Sequence, residues 1–222
     1  MCEARTVHLG IIGGTGPAGR GLATRAAAAG HRVSVGSRNA ERAAEVVGAI
    51  HQRWPDRGLD ISGVANADAA SAELVVVATP WEAAVPTVRA LSEALEGTAV
   101  VSMVNALVKQ GREMLPLIPA RGSMAAAVQA ALPGSLVAAA FHHLPASDME
   151  DLDAPLGADV LVCSDHPAAT AATMGLVTDL AGLRGVDAGS LDQAAAIEAF
   201  TAVCITVNIR HRVHSSVRLA GL

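Results

Sequence analysis

Aromatic residues are almost missing from this chain of 222 residues: there are two Trp, two Phe and no Tyr, 2% in all. Single-stranded nucleic acids stack on aromatic side chains, so this class of partner is nearly excluded. Cations are also few, since 16 Lys and Arg stand against 21 Asp and Glu and the net charge is −5. That balance argues against binding driven by phosphate neutralisation, and we expect no nucleic-acid partner.

Cysteine is scarce as well, with three residues far apart at Cys2, Cys163 and Cys204. Their number and spacing fit neither a disulfide framework nor a C-x-x-C motif, which favours a reducing compartment. The longest uncharged stretch, 123–147, is interrupted by polar residues, proline and glycine and does not predict a membrane span. No apolar signal segment opens the chain, so we expect a cytoplasmic protein without a membrane partner.

Hydrophobic residues, in contrast, make up 51% of the chain and charged residues only 17%, which excludes disorder. Short apolar runs alternate with Ala-rich helical stretches, as is typical of a parallel sheet covered by helices on both faces. Six strands are predicted before Pro145. The pattern therefore predicts an α/β protein, with a doubly wound, Rossmann-type parallel sheet in residues 1–145 and a smaller C-terminal α/β region in residues 146–222.

The hydrophobic periodicity also sets the expected elements. Strands are predicted at 7–12, 32–36, 59–64, 74–78, 98–104, 136–141, 158–163 and 186–188. Helices are predicted at 17–29, 39–52, 80–95, 123–132, 167–181 and from 190–193 to about 213. Residues 109–121 have no clear period and carry two prolines, which predicts a loop.

Helix starts and the last helix carry further signals. Thr79–Glu82 and Ser190–Gln193 have the pattern of capping boxes. The last predicted helix is apolar on nearly every face between Ala194 and Val207. Such a helix must be covered, so it is either central to the fold or packed on a second subunit.

A glycine-rich loop follows the first predicted strand and opens the first predicted helix. Its G-x-G-x-x-G pattern in that context indicates a dinucleotide site. The first glycine allows a tight turn, the second lets a pyrophosphate approach the backbone, and the third lets the helix pack on the sheet. The helix N-terminus favours the phosphate charge. The residues expected to bind the dinucleotide are Gly14, Thr15, Gly16, Pro17, Ala18 and Gly19.

The end of the second predicted strand distinguishes NADP from NAD. An NAD site carries Asp or Glu there, whereas this chain reads Gly36-Ser37-Arg38-Asn39 and has no carboxylate before Glu41. A hydroxyl and a guanidinium suit a 2′-phosphate, and Arg42 lies one helical turn beyond. We therefore expect NADP, bound by Ser37, Arg38 and Arg42.

Thr79 and Pro80 follow the fourth predicted strand. Ligands bind outside the carboxyl ends of the strands in such sheets, so this turn is expected to face the cofactor.

Together these motifs resemble the NADPH:F420 oxidoreductase family. The resemblance covers nearly the whole chain and is carried by Gly13–Gly19, Gly30-His31, Val35–Arg38, Thr79–Glu82, Phe141–Ala146 and Asp187–Leu191. It implies an enzyme that transfers a hydride reversibly between NADP(H) and the deazaflavin coenzyme F420, forms a homodimer and uses no metal. It also implies that the deazaflavin lies over the nicotinamide, near His142, which would position the ring, and near Thr201, which matches a family threonine.

Some positions depart from the family pattern. Ala199 stands where a Ser often precedes the family threonine, His142-His143 precedes Pro145 where His-Thr is usual, and 103–122 matches poorly. These departures concern the deazaflavin pocket and leave the NADP residues untouched.

Two other functions remain open from the residues alone. One is an NADP-dependent reductase of a small imine or pyrroline, which usually needs a proton donor; His142-His143 is the only candidate. The other is a non-catalytic NADP-binding sensor. Direct hydride transfer needs binding and orientation rather than an acid or base, which fits the lack of a hydrolase or P-loop motif. His211 and His214 share a helical face with no further ligand nearby in sequence, so we expect no metal.

Overall fold

One eight-stranded sheet organises the fold. The computed structural model describes residues 6–222, so Cys2 lies outside the described part. In chain order the strands are β1 (His8–Ile12), β2 (Arg32–Ser37), β3 (Ile61–Ala65), β4 (Leu74–Val77), β5 (Ala99–Ser102), β6 (Leu107–Gln110), β7 (Glu113–Pro116), β8 (Leu136–Ala139), β9 (Ala158–Ser164) and β10 (Leu183–Asp187). The sheet order is β10-β9-β8-β5-β4-β1-β2-β3, and β6 and β7 form a separate hairpin. Within the large sheet every pairing is parallel except β8 with β9.

Helices cover both faces of this sheet. They are α1 (Pro17–Ala28), α2 (Ala40–Arg53), α3 (Asn66–Ala69), α4 (Trp81–Arg89), α5 (Met124–Ala131), α6 (Ala146–Glu150), α7 (Pro167–Asp179) and α8 (Ala194–His211). Strand β4 illustrates the consequence, because Leu74 and Val76 enter one hydrophobic cluster while Val75 and Val77 enter another. Alternate side chains of a strand point to opposite faces, so both faces of the sheet are buried. The predicted α/β fold with a doubly wound sheet is confirmed.

The large sheet continues past residue 145. Strands β9 and β10 extend it, and Val160 and Val162 of β9 share a core cluster with Leu9 and Ile11 of β1. The division of the chain at residue 145 stays a prediction.

The expected loop at 109–121 is wrong, because β6 and β7 form an antiparallel hairpin there. The hairpin packs on α8, where the Thr206 hydroxyl accepts the backbone N–H of Met114 at 2.9 Å. Pro116 is the last residue of an edge strand, a position that does not require its missing N–H. Tertiary contact therefore decides the structure of a segment that has no period of its own.

Both expected capping boxes are wrong as well. Helix α4 begins at Trp81 after Pro80, and no side chain caps it. Before α8, Leu191–Gln193 form a 3₁₀ turn, and the Ser190 side chain makes no capping bond. Asn39, in contrast, accepts the backbone N–H of Arg42 and caps α2.

Helix α8 ends two residues earlier than expected. Arg212 adopts a left-handed conformation with φ of 54°, which stops the helix after His211. His214 therefore lies off the helix, and its Nδ1 is 2.7 Å from Asp148 Oδ1. The expected i, i+3 histidine pair is not formed on a helix. In residues 6–222, no three His, Cys, Asp or Glu side chains are grouped as a metal site, and no helix is long and apolar enough to cross a bilayer.

A buried arginine holds the segment that follows β8. The Arg25 guanidinium on α1 is 9% exposed and donates to the backbone carbonyls of Met149, Asp148, Ala154 and Asp151. Carbonyl oxygens of four residues thus converge on one side chain. This cluster holds α6 and the turn after it against α1. It therefore also fixes one end of the segment between β8 and α6, which contains His142.

A buried carboxylate ties α8 to α5. Glu198 is 5% exposed and accepts the backbone N–H groups of Met124 at 2.7 Å and Ala125 at 2.9 Å. These are two of the first N–H groups of α5, which lack partners within the helix. Burial nevertheless dominates and raises the pKa of the Glu198 carboxyl from 4.5 to about 7.

We predict that Glu198 makes the fold less stable as the pH rises. Between pH 4.5 and about 7 the folded state holds the Glu198 proton that the unfolded chain has lost, so the free energy of unfolding falls through this window. The shift corresponds to about 3 kcal/mol at 1.36 kcal/mol per pKa unit. Urea unfolding at pH 5 and pH 8 measures it. The Glu198→Gln variant should lose the part of the pH-dependent change in unfolding free energy that comes from Glu198. The control Glu93→Gln, at an exposed position, should keep it. An identical pH dependence in Glu198→Gln and the wild type would contradict the prediction.

Candidate active site

The glycine-rich loop joins β1 to α1 by a very close packing of backbone on backbone. The Gly14 N–H lies 3.1 Å from the Ile11 carbonyl and 2.9 Å from the Gly36 carbonyl. A Cβ on Gly19 would lie 2.6 Å from Gly14 Cα, and one on Gly14 would lie 2.9 Å from a methyl of Ile11. Only glycine fits at these two positions, so α1 can begin directly above β1.

The left-handed residue of the loop is Gly13, with φ of +70°. The glycine pattern predicts the tight turn at Gly14, but Gly14 instead packs on Ile11. The Gly13 N–H is accepted by the Asn66 side-chain oxygen at 3.0 Å. Asn66 lies immediately after β3 and was missed from the sequence. Its only signal was that position, at the carboxyl edge of the predicted sheet.

Gly16 leaves the space in front of the helix open. It is the N-cap of α1 with φ of −75°, and a Cβ built on it would meet nothing within 4 Å. The first turn of α1 contains no acidic side chain that could neutralise the positive end of the helix. Open space in front of a helix N-terminus is what a pyrophosphate requires, so the loop fits a dinucleotide.

A cleft of about 640 Å³ opens at this loop. It is lined by Gly13, Thr15, Gly16, Pro17, Ala18, Gly19, Ser37, Arg38, Arg42, Asn66, Ala78, Thr79, Pro80, Ala83 and Thr87. Every residue expected at NADP is therefore brought together here, apart from Gly14, which lies beneath the loop. Asp and Glu are absent from this lining, and such a carboxylate would repel a 2′-phosphate.

One end of the cleft carries the cations. Ser37 ends β2, is 8% exposed, and its hydroxyl accepts the Asn39 N–H at 3.2 Å. Arg38 and Arg42 are exposed on the cleft wall. The cap formed by Asn39 places Arg42 in the first turn of α2, and Arg38 and Arg42 line the same cleft as Ser37.

The carboxyl ends of β4, β5 and β8 carry buried polar atoms without partners. Within the described residues these atoms are Thr79 Oγ1, Ser102 Oγ and His142 Nε2. They follow three adjacent strands of the sheet. A buried polar atom without a hydrogen bond is costly, and these three atoms at one edge of the sheet are available to a bound ligand. A fourth such atom, His31 Nε2, lies 3.4 Å from Asp179 Oδ2 and is explained by that contact.

His142 is held by its neighbours at both its ring and its backbone. The residue is 5% exposed, its Nδ1 is 3.1 Å from Asn105 Oδ1, and its carbonyl accepts from Asn105 Nδ2 at 3.3 Å. The Thr201 hydroxyl also lies 3.3 Å from this carbonyl. Burial, with a smaller effect of His143, lowers the pKa of His142 to about 3, so the ring is neutral. The structure thus joins His142 to Thr201, although neither lines the cleft.

His143 is used to hold α8. Its Nε2 lies 3.0 Å from the Ile197 carbonyl. Its ring packs edge-to-face on the ring of Phe200, with the two ring centroids 5.7 Å apart. Burial lowers the pKa of His143. The His143 N–H is bonded to the Ile197 carbonyl, so it is not free to protonate a substrate. His142 is neutral and carries no extra proton to donate. This argues against a reductase that protonates an imine nitrogen.

The chain turns sharply to deliver His142. Phe141 has φ of 67°, a left-handed conformation that is unusual for a residue with a side chain. Such conformations cost about 1–3 kcal/mol and persist only where the surroundings impose them. The bonds from Asn105 and Thr201 to the His142 carbonyl supply that constraint.

The fold and the cleft define a dinucleotide-binding protein of the Rossmann type. The model of a family described as "NADP oxidoreductase coenzyme F420-dependent" matches residues 8–106. The F420-dependent NADP reductase of Methanocaldococcus jannaschii is 35% identical over 93% of this chain and 94% of its own length. That of Methanothermobacter marburgensis is 32% identical over 97% of this chain and 99% of its own. The chain belongs to the F420-dependent NADP reductase family.

A solved structure agrees with this assignment. A protein of Arthrobacter sp. FB24, provisionally described as an F420-dependent NADP reductase, superposes with a TM-score of 0.81 at 25% identity. The match covers 97% of this chain and all of the other. The similarity therefore includes the hairpin, α8 and the C-terminal strands as well as the glycine-rich loop.

We predict that Arg38→Ala weakens NADP binding about 10- to 100-fold and leaves NAD binding nearly unchanged. A charge-assisted hydrogen bond contributes roughly 1.5–3 kcal/mol to NADP binding. NAD has no 2′-phosphate, so it does not make this bond and its affinity does not depend on Arg38. Calorimetric titration with both dinucleotides measures the difference. Arg121→Ala, which removes an exposed arginine outside the cleft, is the matched control and should alter neither affinity. An equal loss for both dinucleotides in Arg38→Ala would show that Arg38 does not read the 2′-phosphate.

Proposed function

We propose that this protein transfers a hydride reversibly between NADP(H) and coenzyme F420. The observation that carries the proposal is the position of the carboxylate-free cleft at the same sheet edge as the unpartnered atoms of Thr79, Ser102 and His142. Direct hydride transfer between two substrates needs both ligands bound side by side. The family members from both methanogens carry this activity in their names.

The glycine-rich loop and the end of β2 are proposed to bind NADP. Thr15, Gly16, Pro17, Ala18 and Gly19 provide the open cradle in front of α1, with Gly14 packed beneath it. At the other end, Ser37, Arg38 and Arg42 provide a hydroxyl and two cations for the 2′-phosphate. Thr79 and Pro80 line the same cleft after β4, and we assign them to the nicotinamide side of the proposed site.

The end of β8 is proposed to position the deazaflavin. His142 offers a neutral ring whose Nε2 has no partner among the described residues. The Thr201 hydroxyl bonds the His142 carbonyl and lies equally close to that of Ile197, so we propose that it supports His142 from behind.

The reaction requires orientation rather than acid–base catalysis. When both are bound, the nicotinamide of NADPH supplies the hydride and the deazaflavin accepts it. The chain's own contribution is to bind, orient and exclude water, which lowers the barrier by fixing the reacting groups. A histidine with a pKa of about 3 stays neutral across the physiological range and does not serve as a base near neutral pH.

We predict direct transfer of the hydrogen without exchange with water. With NADPH deuterated at C4 and oxidised F420, mass spectrometry should find the label at C5 of the deazaflavin. Unlabelled NADPH in D₂O should give no label at C5.

A matched pair of variants links this transfer to the cleft. Gly16→Val fills the open space in front of α1 and should abolish transfer. Gly48→Val, which also meets nothing within 4 Å but lies on α2 away from the cleft, should not. Reduction of an imine or pyrroline, with no transfer to F420, would contradict the proposal and favour the other reductase.

We also propose that the protein is a homodimer in which α8 forms part of the interface. Three large apolar residues of α8 are exposed in the single chain: Phe200, Val203 and Val207. They follow one helical face, since residues three and four apart are neighbours. The hairpin that packs on α8 and the segment after it expose Val108, Leu115, Leu117 and Ile118. Apolar residues exposed on elements that pack on each other mark an interface, and the exposed residues of α8 show that this helix is not central to the fold.

We predict that Val203→Asp converts a dimer to a monomer. Val203 is 52% exposed in the single chain, so the substitution should leave the fold intact while placing a charge inside the interface. Light scattering on a sizing column at micromolar concentration measures the mass, and circular dichroism checks the fold. Ala44→Asp, on the exposed face of α2, should remain dimeric. A monomeric wild type, or a dimeric Val203→Asp protein, would contradict the proposal.

We place the protein in the cytoplasm, as its cysteines suggest. Cys163 and Cys204 are buried free thiols, and burial raises the pKa of Cys163 to about 12. Unpaired thiols of this kind suit a reducing compartment, and their low reactivity gives them no part in the reaction.

A further inference from the structure

Asn105 and His142 occupy equivalent positions just after two neighbouring strands, β5 and β8. Ser102 at the end of β5 is paired in register with Ala139 at the end of β8. Asn105 follows Ser102 by three residues, and His142 follows Ala139 by three. The parallel register therefore brings the two side chains to the same edge of the sheet, beside each other.

The two hydrogen bonds of Asn105 determine its orientation. A backbone carbonyl only accepts, so the group that lies 3.3 Å from the His142 carbonyl must be the amide NH₂. The amide oxygen then faces His142 Nδ1 at 3.1 Å. An oxygen acceptor requires a donor, so Nδ1 must carry the ring hydrogen.

The remaining ring nitrogen is thereby fixed as an acceptor. In a neutral imidazole one nitrogen donates and the other accepts, and His142 is neutral because burial lowers its pKa to about 3. With the hydrogen on Nδ1, Nε2 presents a lone pair. Nε2 is also the ring atom that has no partner among the described residues. A group that binds there must donate, as the N–H of a pyrimidine-type ring does.

We propose that Asn105 is a positioning residue that holds His142 in the Nδ1–H tautomer, so that Nε2 accepts a hydrogen bond from an N–H of the bound deazaflavin. The identity of the ring rests on the proposed function. Asn105 itself uses both ends of its amide on one residue and acts through it. A purely structural asparagine would have no effect on which nitrogen of His142 is protonated.

The first test reads the tautomer in the ligand-free protein. Nitrogen-15 NMR distinguishes protonated from unprotonated imidazole nitrogens, and a His142→Ala spectrum assigns the signals. The wild type should show Nδ1 protonated and Nε2 bare. Asn105→Leu removes both contacts and should shift the hydrogen toward Nε2, whereas Asn105→Asp keeps an oxygen at Nδ1 and should retain the wild-type tautomer. Protonated Nε2 in the wild type would overturn the proposal.

The second test measures binding by F420 fluorescence and by calorimetry with NADP. Asn105→Leu should weaken F420 about tenfold, the loss of one hydrogen bond, and leave NADP unchanged. In a His142→Ala background the same substitution should have little further effect, because Asn105 acts through His142. Asn208→Leu is the matched control, since Asn208 on α8 accepts two bonds from Ser215, and it should change neither affinity.

Three results of the binding test would count against the proposal. An unchanged F420 affinity in Asn105→Leu, an equal loss of NADP affinity, or a full further loss in the His142→Ala background would each overturn the positioning role. A wild type that shows the Nδ1–H tautomer but binds no F420 would instead overturn the proposed function, and with it the ligand assigned to Nε2.

Discussion

The close contact between the start of α1 and the end of β1 is the constraint on which the site depends. Gly14 and Gly19 permit it, because any side chain at either position would overlap the backbone or Ile11. The contact brings a helix N-terminus to the carboxyl edge of the sheet, beside the last residues of β2 and β4. In the proposed function, phosphate binding, the choice of dinucleotide and the nicotinamide position are all set at this edge.

The second half of the chain completes the same edge by different means. Parallel pairing of β5 with β8 places Asn105 beside His142, and the strained turn at Phe141 carries the histidine inward. Arg25 stabilises the segment after β8 by donating to backbone carbonyls. Glu198 stabilises the start of α5 by accepting backbone N–H groups. The NADP side is therefore an open cradle of backbone, whereas the proposed deazaflavin side is a buried and neutral group of side chains.

Local patterns in the sequence predicted the fold, and the structure brings the residues expected at NADP to one cleft. The glycine-rich loop, Ser37-Arg38 and the Thr79-Pro80 turn are each contiguous and follow a strongly apolar strand, so their shared edge follows from topology alone. Asn66, Asn105 and Glu198 were missed because each acts on a residue 37 to 74 positions away, and short-range patterns carry no such signal. The β6–β7 hairpin was missed because it is stabilised by packing on α8, which the local sequence does not reveal. The two predicted capping boxes were wrong because the residue pattern can be present without the side-chain hydrogen bonds that cap a helix.

The central claim is that two ligands meet at this edge, one in the cleft and one at His142. A crystal structure with NADP and F420 bound together tests it most directly. We expect the 2′-phosphate between Ser37 and Arg38, the pyrophosphate in front of Gly16, and an N–H of the deazaflavin within hydrogen-bond distance of His142 Nε2. A deazaflavin bound elsewhere, with His142 Nε2 still without a partner, would contradict it.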